Sequence, residues 1–338
     1  MPESVPCNLC GADDAARLYT LRDYRLRVDN VEWPVVQCRR CGLGYLNPRP
    51  TWSEIGRYYP GEYFAHRAHA RARYERQADY VAGPPRRLLD VGTARGDFLL
   101  VMRDRGWDVT GIEPFDDAGN PHDLPIHREP FPGETELELR SFDVVTAWSV
   151  FEHLHDPAAA FRECARLLRD GGTLVLQVPN FRSPLRWSRL EDVPRHLYFF
   201  SEHTLRAYGD RVGLRLDRVV HATNVSGGSA RGGAQFALVR MLGHSTDDFH
   251  RIYRSSRGER FRRWPLLAPL WTGIGAAERV VLSDWVVRSA RISGQLVAFF
   301  RKPAVATSDP DQSDREPGSS GARRPIRSRI RAARRSQL

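Results

Sequence analysis

One stretch constrains this chain more than any other: Arg86-Arg87-Leu88-Leu89-Asp90-Val91, then Gly92-Thr93-Ala94-Arg95-Gly96, then Asp97-Phe98-Leu99-Leu100-Val101-Met102. The short apolar run reads as a buried strand, the glycines as a turn, and the next apolar pattern as a helix that stops at Gly106. Strand, glycine turn and helix in this order make the first βα unit of a doubly wound sheet, with its loop facing a ligand. The following strand, over 108–112, ends on Glu113. A carboxylate there can accept both hydroxyls of a ribose. The third glycine of a dinucleotide fingerprint is absent, because Asp97 stands in its place.

Downstream, residues 141–148 read as a fourth strand ending at Trp148, followed by Phe151-Glu152-His153-Leu154-His155-Asp156-Pro157 and a helix through Arg169. Asp170-Gly171-Gly172 closes that helix in this reading, and a fifth strand over 173–178 ends in Pro179-Asn180. Asp90-x-Gly92-x-Ala94-x-Gly96 resembles motif I of the class I methyltransferases, D-x-G-x-G-x-G, with alanine at the middle glycine. The run from strand to EHL-x-DP, helix, D-GG, strand and PN looks like the branch that includes ubiquinone-biosynthesis and sugar methyltransferases, over residues 86–222. The resemblance implies an α/β, doubly wound, seven-stranded Rossmann-like sheet and S-adenosylmethionine as methyl donor. It implies Asp90, Gly92, Ala94, Gly96, Glu113 and Trp148 as cofactor-binding residues. Between Glu113 and Phe142 the family usually has a helix and then a strand; here residues 115–123 are short and broken, which predicts a helix reduced to a turn.

Four of the five cysteines form two pairs, Cys7-Asn8-Leu9-Cys10 and Cys38-Arg39-Arg40-Cys41, each followed by glycine. Two intervening residues let both thiolates of a pair face one ion, and two such knuckles complete a tetrahedral zinc site. Four protein ligands leave no open position, so the zinc is expected to be structural. Cys164 lies on the apolar face of a helical pattern and reads as core. The aromatics Tyr58, Tyr59, Tyr63 and Phe64 after the second knuckle admit two roles, a core for this small module or a lid over a substrate pocket. The domain reading is a zinc-binding module over 1–64, a linker helix over 65–83, a methyltransferase domain over 84–302 and a disordered tail over 303–338.

On the acceptor side, Arg195-His196-Leu197-Tyr198-Phe199-Phe200-Ser201 precedes a helix over 202–212 that Ser201 can cap. In the resembling family the loop after the fifth strand faces the transferring methyl group. Sugar C-methyltransferases of similar architecture, also zinc-bearing, place a general base at a histidine before such a segment. The resemblance thus implies His196 as the base, with Arg195 standing where those enzymes commonly have glutamate. Chemistry supports a histidine independently: an alcohol or carbon acid must lose a proton near the in-line displacement, and imidazole titrates in the useful range. His153 is the rival, assigned first to lining the cofactor pocket or bracing its loop, and the Tyr63 hydroxyl stands third.

The net charge of +10 raises nucleic acid as a partner. Its distribution weakens that reading, because residues 321–338 hold seven arginines and no acid. Residues 303–320 carry four acids and one arginine among Pro, Ser and Gly, a composition that cannot bury enough apolar surface to fold. The body is nearly balanced, so a small-molecule acceptor is expected: a sugar, nucleotide sugar or glycolipid or polyprenyl intermediate, methylated on oxygen or carbon. The competing functions are ribosomal RNA methylation and an inactive methyltransferase-fold scaffold. No apolar leader follows Met1 and no apolar run spans a bilayer, which predicts a cytoplasmic protein. Residues 224–292 read as a helical insertion carrying Trp271, Ile274, Val281 and Trp285 on one helix. That insertion is read first as packing on the sheet edge or forming a homodimer interface, and second as a peripheral membrane contact through 257–287 or the basic tail at the inner face of the membrane.

Overall fold

The computed structural model describes residues 1–60, 71–115, 119–133, 137–183, 192–225, 232–244, 248–249, 252 and 256–304. Tyr63, Phe64, the first part of the linker reading and the tail beyond 304 lie outside the described residues.

The first three strands belong to the cysteine module: β1 (Ala15–Leu21), β2 (Trp33–Cys38) and β3 (Gly44–Leu46). A short helix, α1 (Trp52–Ile55), and a 3-10 turn (Gly56–Tyr58) follow. The chain then builds α2 (Arg71–Ala78), β4 (Arg87–Val91), α3 (Asp97–Asp104), β5 (Asp108–Ile112) and the two-residue β6 (Ile126–His127). Next come β7 (Phe142–Trp148), α4 (Pro157–Leu167), β8 (Leu168–Pro179), β9 (Tyr198–Phe199), α5 (Glu202–Arg211) and β10 (Arg215–Ala222). Helices α6 (Gly233–Met241), α7 (Arg257–Arg263), α8 (Leu267–Val281) and α9 (Asp284–Ser289) precede β11 (Gln295–Arg301).

The main sheet has seven strands in the order β10-β11-β8-β7-β4-β5-β6. β4 pairs in parallel with both β5 and β7, and β7 with β8. β11 runs antiparallel between β8 and β10. Its strands are buried on both faces: Leu88, Leu89, Val145, Leu174, Leu176 and Val297 are each 0% exposed. That is the pattern of a sheet covered by helices on both sides. The strand order reverses at β4, so a crevice opens beyond the carboxyl ends of β4, β5 and β7, the usual ligand position in such sheets.

Several local expectations change. Helix α4 ends at Leu167, and residues 168–172, including Asp170-Gly171-Gly172, run within β8. Phe142 pairs with Leu168 in that register, so the sheet captures residues that look like a helix stop. The linker helix is seen at Arg71–Ala78, and Tyr80 to Gly83 lie beyond it. Trp271 and Trp285 fall on different helices, because Ser283 breaks α8 from α9 and caps α9 through the Val286 amide. Between Glu113 and Phe142 no helix occurs among the described residues.

The largest departure concerns Tyr198-Phe199. These residues, read as a loop, form β9, which pairs antiparallel with β3 as the last strand of the order β1-β2-β3-β9. The module's sheet therefore borrows its final strand from a point about 150 residues downstream, and Leu46 N–H donates to Leu197 C=O at 2.9 Å. Gly44 has no room for a side chain here, since a Cβ would lie 2.8 Å from the Phe181 ring. Arg49, 7% exposed, donates to the Tyr198 hydroxyl at 2.8 Å and the His155 carbonyl at 2.9 Å. Module and sheet share one continuous core through Trp33, Tyr45, Tyr58, Phe199 and Phe200.

Candidate active site

The four cysteines converge. Gly11 and Gly42, at φ +72° and +75°, turn the chain after each pair, and their N–H groups donate to the Cys7 and Cys38 carbonyls. The Cys7 and Cys41 sulfurs lie 3.4 Å apart, and those of Cys10 and Cys38 3.5 Å. All four sulfurs fall within 4.8 Å of one another. Thiolates around zinc at about 2.3 Å would stand roughly 3.8 Å apart, so the donor set fits a tetrahedral ion. Burial pushes the Cys41 thiol up to about 11, so a metal must displace protons to bind.

At the switch point, a cavity of about 120 Å³ is lined by Val91 and Gly92, Ile112 to Phe115, Phe131 and Trp148 to Val150 on the sheet side. Trp52, Ile55 and Tyr59 of the module, with His153 and Leu154, complete it. Of the sequence-based cofactor residues, Gly92, Glu113 and Trp148 line this cavity, whereas Asp90, Ala94 and Gly96 shape the loop behind it. Glu113, 5% exposed, accepts the Ala94 N–H at 2.9 Å and the Phe115 N–H at 3.2 Å. Each carboxylate oxygen accepts more than one hydrogen bond, so ribose hydroxyls can share it. Gly92, at φ +70°, leaves no space for a Cβ, which would sit 2.5 Å from Val150. Gly96 likewise faces Leu124 at 2.7 Å. Ala94 adopts φ +50°, a left-handed conformation that costs a non-glycine residue about 1–2 kcal/mol. Trp148 packs its indole edge-on against Phe98, with ring centroids 5.3 Å apart.

Asp90 sits below the loop, 2% exposed, and accepts the Thr146 hydroxyl at 2.6 Å. Burial lifts its carboxyl to about 7, with Thr146 and Thr93 opposing the rise and the Glu113 charge adding to it.

The module's aromatics divide by one residue. Tyr58 is 0% exposed and packs edge-on against Trp33, whereas Tyr59 stacks on Phe115 at 5.7 Å over the cavity. Tyr59 Oη lies 3.0 Å from His153 Nδ1, and the Arg195 carbonyl lies 3.0 Å from the same nitrogen. A carbonyl can only accept, so Nδ1 carries the proton and Nε2 is left as the basic nitrogen. His196 stands edge-on to His153 with ring centroids 4.8 Å apart and is 8% exposed. Its Nε2 lies 3.6 Å from Asp192 Oδ2. His153 lines the cavity, and His196 lies beside it in the 192–197 turn.

Arg195, read as a departure at an acidic position, is fully buried between two carboxylates. Its Nε donates to Asp192 at 2.6 Å, and its Nη groups donate to both oxygens of Asp23 at 2.7 and 3.1 Å. Arg25 reaches the other Asp192 oxygen at 2.7 Å. Burial pushes the Asp192 carboxyl up, but the charges of His196, Arg195, Arg25 and His153 outweigh it and hold it well below the usual range. Asp23, Arg25 and Asp192 were missed in the sequence. The available signal was an acid four residues before His196, at one-turn spacing.

Residues 63–219 match a family model described as a methyltransferase domain. The chain is 35% identical over 120 residues to a ubiquinone biosynthesis O-methyltransferase from Alkalilimnicola ehrlichii, covering 31% of this chain and 48% of that protein. It is 33% identical over 106 residues to the protein of that name from Paracidovorax citrulli, covering 28% and 44%. The matched segment thus spans less than half the length of these curated relatives. A Haloferax volcanii complex between the Trm112 methyltransferase activator and a methyltransferase superposes at TM-score 0.48 with 15% identity, over 73% of this chain and 96% of that one. From the strand order, the glycine loop with the acid at the next strand end, and the family match, residues 63–219 belong to a methyltransferase domain with the class I fold.

Proposed function

We propose that the chain transfers the methyl group of S-adenosylmethionine to an oxygen or carbon of a small-molecule acceptor. The observation that carries this reading is the cavity itself, with the Gly92 loop and Glu113 on one wall and His153, backed by His196, on the other. The cofactor's sulfonium supplies an activated methyl group for in-line displacement. Gly92 to Gly96 and Glu113 would hold the donor, with Phe115 and Phe131 as apolar walls. Ligand pockets usually measure about 300–1,000 Å³. The described cavity is about 120 Å³, so the wall of Trp52, Tyr59 and Phe115 must part to admit donor and acceptor together.

In this reading His153 takes the acceptor proton on Nε2, because its Nδ1 proton is fixed by the Arg195 carbonyl. His196, edge-on to His153 and with its Nε2 3.6 Å from the Asp192 carboxylate, orients that ring, and the carboxylate favours the positive charge that His153 acquires. The acceptor class that fits aromatic walls and a neighbouring base is a ring-bearing hydroxyl or carbon acid, a sugar, nucleotide sugar or glycolipid or polyprenyl intermediate. The relatives named for O-methylation in ubiquinone biosynthesis favour a second class, a hydroxyl-bearing intermediate of that biosynthesis. Nucleic acid is disfavoured, since the cavity's lining is mostly aromatic and aliphatic, with Glu113, Ser149 and His153 and no arginine among the described residues.

The test is product mass spectrometry with isotope-labelled donor against nucleotide sugars and catechols. His153→Ala is expected to lower turnover by about 10²–10⁴-fold, the usual contribution of a general base. His196→Ala should lower it less and shift the alkaline or acidic limb of the pH profile. Stabilisation by adenosylhomocysteine should persist in both and weaken in Glu113→Ala. A His153→Ala protein with parental turnover and pH profile would return the base to His196.

A further inference from the structure

The helices between β10 and β11 leave one face bare. On its inner side α8 buries Ala268 and packs Trp271 into a small core with Val239, Phe249 and Ile252. Glu278, 7% exposed, accepts the Gly232 and Ala234 N–H groups at 2.8 and 2.6 Å, locking α8 to the start of α6. The opposite side carries Leu266, Leu270, Val280 and Val281, exposed by 92%, 50%, 78% and 66%. Between them the same stripe shows Gly273 and Ala277, both exposed and uncharged. At helical spacing these positions form one continuous apolar strip over about four turns. Trp285, 75% exposed, follows in α9. A helix apolar on both sides belongs in a core or against lipid.

We infer that this outer face of α8, with Trp285, docks onto the surface of an anionic phospholipid bilayer. Charge selects that occupant. Exposed Arg262 and Arg263 of α7 stand before the strip, and exposed Arg279 and Arg288 lie along and beyond it. Each arginine near an anionic surface strengthens binding roughly fivefold. A two-fold dimer through α8 would instead bring the arginines at one end of each copy against those at the other end, with like charges meeting. The terminal residues 321–338, with seven arginines and no acid, share the preference for an anionic surface and offer little apolar cover. No described helix is long and apolar enough to cross a membrane. Fifteen residues rise only about 22 Å against a core of about 30 Å. The helix therefore lies in the interface with its apolar strip down.

The experiment is co-sedimentation of the full chain with vesicles of phosphatidylcholine alone and of phosphatidylcholine mixed with phosphatidylglycerol. Binding is expected to the mixed vesicles, to weaken with added salt, and to fall at least about tenfold in the Leu270→Glu/Val280→Glu double variant. Both positions are exposed, so melting temperature and methyl transfer to a soluble acceptor should stay parental, which separates this inference from the assignment of the active site. Trp285→Ala should show a smaller loss. Parental binding by the double variant would overturn the inference, as would absence of binding by the parent. Loss of all binding on truncation after Ala304, with α8 intact, would move the interaction to the basic terminus. Self-association of the parent that the double variant abolishes, without vesicle binding, would identify a second copy as the occupant.

Discussion

Asp90, behind the glycine loop, and Asp192, one turn before His196, are buried carboxylates, 2% and 5% exposed, and their surroundings drive them in opposite directions. Asp90 sits among the strands behind the glycine loop, with a hydroxyl donor from Thr146, the Thr93 hydroxyl nearby and no cation, so burial prevails and its carboxyl rises to about 7. Asp192 stands among His196, Arg195 and Arg25, and their charges overcome the same burial. Asp23, facing Arg195 from the module, is likewise held below its ordinary range against its burial. Desolvation costs both walls alike, and the sign of the outcome is decided by whether a fixed cation is within reach. The glycine-loop side holds its acid by the Thr146 hydroxyl of the neighbouring strand β7. The acceptor wall holds its acids by ion pairs that join the module to a turn almost 170 residues away.

The comparison can be broken at the module first, where the effect should be largest. Structural zinc contributes about 10 kcal/mol or more of folding free energy in small zinc domains. Purified protein is therefore expected to hold one zinc per chain, and Cys38→Ser should release it. The acceptor wall should then lose its order and turnover with it, while adenosylhomocysteine still binds the cofactor wall. Metal analysis and calorimetric binding check this; full zinc in the variant, or none in the parent, would rule out the four-thiolate site.

Next is Arg195→Ala, which leaves Asp23 and Asp192 buried without their shared partner. A loss of about 3–5 kcal/mol is expected from breaking a buried pair in this way. Because both acids have depressed values, their stabilisation is present above the ordinary carboxylate range and is lost only as the pH falls through the depressed values. The parent should therefore lose stability steeply in acid, and the variant much less. Denaturant midpoints measured across that range test it, and parallel acid profiles would show that the network contributes nothing to docking.

Asp90 predicts the reverse slope. Its folded value, about 7, lies above the ordinary 3.8, so the neutral carboxyl's contribution is full below 3.8 and lost as the pH rises through about 7. Asp90→Asn keeps an oxygen for Thr146 and cannot ionise. It should be more stable than the parent at mildly alkaline pH by on the order of 2 kcal/mol, with the gap closing in acid. A gap that does not change with pH would mean that Asp90 titrates normally.

The smallest effect is expected at Ala94. Relief of its left-handed backbone by Ala94→Gly should offset the greater chain entropy of glycine in the unfolded state, for a net gain of up to about 1 kcal/mol. A clear loss in melting temperature would show that the methyl group of Ala94 is packed, outweighing the backbone strain.

The legible parts of this molecule are those whose partners are close in sequence. Asp90 to Gly96, Glu113 and the two cysteine pairs are read from spacings of two or three residues, because a turn and a metal knuckle impose their geometry over that range. The runs at 88–91 and 142–148 were readable as strands for the same reason, since burial on both faces leaves a nearly contiguous apolar signal. Ala94 shows the limit: its residue type was known, but the cost of its φ of +50° is a property of the folded loop. Tyr58 and Tyr59 show it again, since adjacent tyrosines differ only in which one the α1 turn directs into the core.

The acceptor wall depended on tertiary structure almost entirely. Tyr198-Phe199 becomes a strand because β3 presents an open edge, and two residues are too few for any periodicity. Arg195 looked like a misplaced charge until Asp23 and Asp192 closed around it. Short-range spacing can encode a loop or a ligand knuckle, but a buried ion pair between residues 23 and 195 exists only when independent elements pack, and desolvation then fixes its charge state.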